Sequence, residues 1–138
     1  MTQAQAISTT VRLVPDNERM NFLPKHFGQR LMLAGELAVY GWLDRLSEDY
    51  RGGYWHYYEI PGSFYMAPTS HDTLRIVWPL NWCDRTMSAD AAGIVATLYA
   101  LSELCQRPQG ADLVDKYYAL REFASVHAEA SAILAAID

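Results

Sequence analysis

The chain has 138 residues, 51% of them hydrophobic and 20% charged, with a net charge of −5. That is one globular domain, long enough to bury roughly two thirds of its unfolded surface and too apolar to be disordered. Two lysines and nine arginines form no basic stripe, which argues against sequence-independent nucleic-acid binding, and the scattered acids argue against imitation of a DNA backbone.

The densest acidic group, Asp44, Glu48 and Asp49, occupies one helical turn and reads as a solvated face. No apolar run approaches the ~20 residues of a membrane span, and residues 1–10 lack the basic-then-apolar layout of a signal peptide. A cytoplasmic protein without membrane contact is expected, with Cys83 and Cys105 as free thiols.

In chain order, residues 1–17 read as a partly flexible lead-in with a short extended piece at 10–14. Residues 18–138 read as one α+β domain. Residues 18–27, interrupted by Pro24, predict a short helix or turn docked on the body. A long helical pattern follows from Gly28 to about Tyr50, with Leu33, Leu37, Tyr40 and Leu43 or Asp44 at three-four spacing, Leu46 continuing the apolar side and Gly52-Gly53 as a left-handed stop.

The stretch from Tyr54 to Ala67 is the most distinctive. Two aromatic-rich runs, 54–60 and 63–67, flank Pro61-Gly62, the pair a type II turn requires. Alternation places Tyr54, His56, Tyr58 and Ile60 on one face and Trp55, Tyr57 and Glu59 on the other, so helices must cover at least one face. Leu74, Ile76 and Trp78 alternate with Thr73, Arg75 and Val77, predicting a third strand that completes a three-stranded antiparallel meander. The stretch around Cys83 reads as a loop.

Ser88 is a good N-cap for a helix whose stripe is Ile94, Leu98, Leu101 and Leu104, and Asp90 complements its dipole. A final helix of about 25 residues is predicted over 111–137. Its seam is Leu113, Tyr117, Leu120, Phe123 or Ala124, His127, Ala130, Ile133 or Leu134 and Ile137. The expected architecture is a small three-stranded sheet packed against about four helices.

Little in this pattern suggests catalysis. The four histidines are far apart, without an i, i+4 pair, and two isolated cysteines complete no metal set. A nucleophile elbow needs glycine two residues before and two after its serine, and around Ser63 those positions are Pro61 and Tyr65. Gly52-Gly53 precedes a strand, whereas a phosphate loop precedes a helix. No cofactor and no metal are expected, and no enzymatic activity. Spatial convergence of Glu36, Glu59, Asp90 and Glu129 stays open at this level. The aromatic hairpin has two readings, core or binding platform.

Several pieces in one order carry a resemblance: Phe22-Leu23-Pro24-Lys25-His26-Phe27-Gly28, Gly52-Gly53-Tyr54-Trp55, Phe64-Tyr65-Met66-Ala67-Pro68, Ser88-Ala89-Asp90-Ala91-Ala92-Gly93-Ile94, and Ala136-Ile137-Asp138. From about residue 10 to its end the chain resembles the ArdB/KlcA antirestriction family of plasmids and other mobile elements. The resemblance implies a protein that protects incoming DNA from type I restriction–modification, without catalytic residues and without DNA mimicry. Its implied partner is the restriction enzyme or a host factor controlling it, with no strong direct DNA binding. No sequence feature specifies an oligomeric state. Pro61-Gly62-Ser63 departs from the glycine-rich turn expected of relatives. Within the matching pieces and near the end of the chain, the candidate contact residues are Tyr54, Trp55, Tyr58, Tyr65, Ser88, Asp90, Glu129 and Asp138. The alternative function is a nucleic-acid-binding module using the aromatic hairpin face.

Overall fold

The computed structural model describes residues 10–138. The mixed α+β architecture follows the expectation, with five helices and two small antiparallel sheets among the described residues. Of the lead-in, residues 1–9 lie outside the described residues. Strand β1 (Arg12–Leu13) pairs with β2 (Trp55–Ile60), and a short 3-10 turn leads into α1 (Arg19–Phe27), which carries Pro24 inside it. Helix α2 (Met32–Leu46) precedes the aromatic hairpin of β2 and β3 (Ser63–Pro68). The hairpin register pairs Tyr58 with Tyr65, and Gly62 takes φ 78° in the turn.

The three-stranded sheet is not the predicted meander. Its order is β1-β2-β3, and β4 (Thr73–Trp78) pairs instead with β5 (Cys83–Ser88) in a separate two-stranded sheet. The free edge of β3 is already occupied. The Met66 N–H donates to Thr97 Oγ1 (3.2 Å), whose own hydroxyl donates to the Gly93 carbonyl, and Ser63 Oγ donates to the Lys116 carbonyl. Every residue of β3 is therefore buried although no strand flanks that edge. The region around Cys83, expected as a loop, is the strand that supplies β4's partner.

Helix α3 (Ala89–Leu104) is the centre of the molecule. Residues 91–98 are all buried, so the predicted stripe of Ile94, Leu98, Leu101 and Leu104 is part of a helix covered all round. It packs on β3, α2, α4 (Leu113–Ser125) and α5 (Ala130–Ile137). A Cβ at Gly93 would overlap the Met66 carbonyl oxygen and lie 2.6 Å from Ala67 Cα, so only glycine admits this helix–strand approach.

Four further expectations change. The α2 seam is rotated: Gly35, Val39, Leu43 and Leu46 are buried, whereas Leu33 and Leu37 are 65% and 67% exposed. Gly28, with φ 82°, ends α1 rather than opening α2. Gly52 and Gly53 do take positive φ, but they lie in the loop beyond Ser47, where α2 has already ended. Finally, the predicted helix over 111–137 is two helices, broken at residues 126–129. That break builds the site described next.

Candidate functional site

Ser88 ends β5 and caps α3. Its Oγ accepts from the Ala91 N–H (3.0 Å), as predicted for an N-cap. Its backbone N–H donates to Glu129 Oε1 (2.9 Å), and its hydroxyl donates to Glu129 Oε2. Glu129 reaches Ser88 because the chain breaks between α4 and α5. In that break the Glu129 N–H donates to Nδ1 of His127 (2.9 Å).

This bond fixes the imidazole. A backbone N–H can only donate, so Nδ1 carries the lone pair and Nε2 carries the proton. Nε2 then donates to Asp90 Oδ2 at 2.9 Å, and the Tyr65 hydroxyl donates to Asp90 Oδ1 at 2.7 Å. Asp90 sits in the first turn of α3, Tyr65 on β3, and the hairpin register stacks Tyr58 on Tyr65 at 4.8 Å. Burial pushes the Tyr65 phenol well above the ordinary tyrosine range, and Asp90 pushes in the same direction. Burial, then Asp90, also raises Tyr58.

Above these residues lies an open cleft of about 320 Å³. Its walls are His56 and Tyr58 of β2, the end of β3, His71 and Asp72 of the β3–β4 link, and Ser88 to Asp90. Asp72 and Asp90 contribute carboxylates and, among the described residues, no lysine or arginine lines the cleft, so its wall is acidic. Ser88, Asp90, His127 and Glu129 are held in place by complementary bonds, so this side of the cleft presents a fixed acidic surface beside the aromatic wall. The Ser88 hydroxyl is engaged with the Glu129 carboxylate and the Ala91 N–H, and both ring nitrogens of His127 are engaged.

The structure thus brings Tyr58, Tyr65, Ser88, Asp90 and Glu129 together. Tyr65 itself is only 2% exposed and acts from beneath the cleft. The other three candidates lie elsewhere. Trp55, also 2% exposed, is a core residue whose indole N–H donates to the Tyr50 hydroxyl (3.0 Å). Tyr54 is 52% exposed, with the Arg19 guanidinium over its ring at 4.5 Å. Asp138 pairs with Arg121 at 2.8 Å, which gives it the structural role that the sequence did not reveal. Sequence reasoning missed His56, His71 and Asp72 of the cleft, and it placed His127 on a continuous helix. No glycine or proline marks residues 126–129, so composition offered no signal for the break.

Among the described residues no three His, Cys, Asp or Glu side chains are grouped as metal ligands, and no helix is long and apolar enough to cross a membrane.

Comparison with known proteins gives a consistent result. Residues 48–138 match the family model described as antirestriction protein. The chain is 49% identical over 142 residues to an antirestriction protein KlcA of Escherichia coli, covering 99% of both chains. It is 42% identical over 135 residues to the uncharacterized protein YafX of Escherichia coli strain K12, covering 94% of this chain and 88% of the other. A solved structure matches with TM-score 0.83 and 48% identity over 94% of each chain. It comes from work describing KlcA and ArdB as having a novel fold and antirestriction activity against type I DNA restriction systems in vivo but not in vitro.

Proposed function

The chain belongs to the antirestriction protein family, and from that premise we propose that it relieves type I restriction–modification of incoming DNA by a protein contact made at the acidic cleft. The observation that supports a contact over a reaction is the bonding of the cleft itself. Ser88, Asp90, His127 and Glu129 satisfy one another, and the Ser88 oxygen is tied to the N-terminus of α3 as its cap, which suits a fixed surface better than a mobile nucleophile. Tyr58 supplies an aromatic wall, and Asp90 and Asp72 supply charge, a combination suited to a basic side chain of a protein partner.

The partner is the restriction enzyme or a cellular factor that controls it. The description of the KlcA and ArdB relatives as active in vivo but not in vitro favours the second. A DNA-shielding role through the aromatic face is disfavoured, because Trp55 and Tyr65 are in the core and the neighbouring open surface carries carboxylates. Contact with phosphates would need the reverse charge.

The test is the plating efficiency of unmodified phage on a type I restricting host, with the chain expressed at matched levels. Restored plating with host modification intact is expected, and Tyr58→Ala lowers it while the variant stays soluble and folded. Undiminished restriction in the presence of soluble parent protein would refute the reading.

A further inference from the structure

A second concavity, of about 260 Å³, shares no residue with the acidic cleft and has the opposite charge. It lies where residues 28–31 meet the start of α4, with the cations Lys25, Arg30 and Lys116 and the carboxylate Asp112 in its wall. Lys25 is committed to Glu59 at 2.8 Å. Lys116 has no such partner. Its ammonium donates to Nδ1 of His26 at 3.1 Å and lies over the Phe64 ring, and among the described residues no carboxylate comes within ion-pair distance of it. Arg30 makes no ion pair among the described residues either.

The position of Lys116 is enforced. An ammonium only donates, so His26 Nδ1 accepts and Nε2 donates to Glu59 at 2.7 Å. His26 is buried and stacks on Phe64, so this chain of bonds is anchored in the core. Two of the three ammonium N–H bonds are left without a hydrogen-bond partner among the described residues. A half-buried cation without a counter-charge is unfavourable, and burial accordingly pulls the Lys116 ammonium below the ordinary lysine range. An external anion would remove that penalty. Helices α2 and α4 both begin at this pocket, neither with a side-chain cap, so their positive dipole ends face the same space.

We propose that this pocket binds one oxyanion, a phosphate or carboxylate group, held between Lys116, Arg30 and the backbone at the start of α2. Asp112, on the rim, favours an anion seated on the Lys116 and Arg30 side.

The experiment is a titration of the full chain with inorganic phosphate, followed by amide NMR shifts, against chloride at equal ionic strength. Saturable shifts are expected at residues 28–34 and 112–116, with the midpoint raised about fivefold in Arg30→Gln and further in Lys116→Met. Acetate forms the second arm: tighter acetate binding identifies a carboxylate as the natural group, and tighter phosphate binding a phosphate. Shifts that never saturate, or that chloride reproduces, overturn the proposal, as does a midpoint unchanged in both variants. Should Lys116→Met fail to fold, exposed Arg30, which supports no side-chain bond among the described residues, decides the matter alone.

Discussion

Asp90 accepts two hydrogen bonds, and both donors tolerate an amide in its place. In Asp90→Asn the amide oxygen takes the His127 N–H, and the amide nitrogen donates to the Tyr65 hydroxyl, which accepts as readily as it donates. The substitution therefore removes charge from the cleft and keeps both contacts, but the Tyr65 hydroxyl proton loses its acceptor. It should cost about 1–3 kcal/mol in urea unfolding and abolish protection in the phage plating assay. Retained protection would show that the Asp90 charge has no part in the contact. Asp138→Asn breaks only a partly exposed pair with Arg121, so about 0.5 kcal/mol is expected. On the other side of the molecule, His26 and Glu59 make stability pH-dependent. Burial lowers His26 from 6.5 to about 4, so the unfolded chain binds more protons and stability is lost as pH falls from 6.5 toward 4. Lys25, with His26 and Arg12, lowers Glu59 from 4.5 to about 2, so a second loss runs from pH 4.5 toward 2. Urea midpoints should fall continuously from pH 7 downward. His26→Gln should flatten the part between pH 6.5 and 4.5 and leave the lower part in place; an unchanged slope there would exclude His26 as its source.

Elements whose identity depends on nearby residues were legible in the sequence. The hairpin was readable because Pro61-Gly62 dictates the turn and aromatic runs dictate strands; the start of α3 was readable because Ser88 and Asp90 suit a helix N-terminus for local reasons. Strand partnership was not legible, because β4 is excluded from β3 by a helix side chain thirty-one residues away in sequence, Thr97 on Met66. The α4–α5 break was hidden for a similar reason: its bonds run from Glu129 to Ser88 and from His127 to Asp90. Consequently the sequence nominated five members of the site without showing that they meet. The α3–β3 seam yields a sharp prediction. In a free helix Gly93→Ala would gain about 1 kcal/mol, but here the new methyl overlaps the backbone of Met66 and Ala67, which cannot rotate aside. Overpacking of this kind costs about 1–3 kcal/mol, so after the helix gain a net loss of about 1 kcal/mol is expected from urea or thermal unfolding. A stabilised Gly93→Ala protein would mean that the helix and strand do not approach as closely as described.

For the molecule as a whole, charge distribution bears on the proposed mode of action. With a net charge of −5, a protein could in principle compete with DNA for a restriction enzyme's binding groove. Such competition needs a negative charge every few ångströms along a duplex-like surface. Here part of the charge is neutralised internally: Glu59 by Arg12 and Lys25, Asp84 by Arg75, Asp138 by Arg121. Carboxylates outside any lysine or arginine pair among the described residues, such as Asp44, Glu48, Asp49, Asp115 and Glu122, are scattered over several elements. The two at the cleft, Asp72 and Asp90, suit one anchor residue on one protein. It follows that purified chain added to a purified type I enzyme should leave cleavage of unmodified DNA unchanged, and should shift no DNA duplex even at low salt. Adding extract from the restricting host should restore inhibition, and the Asp90→Asn chain should fail in the same mixture. Inhibition of the purified enzyme without extract would place the contact on the enzyme itself. Inhibition that survives Asp90→Asn and fades steeply with salt would instead point to charge spread over a wide surface, and the single-cleft mechanism would have to be abandoned.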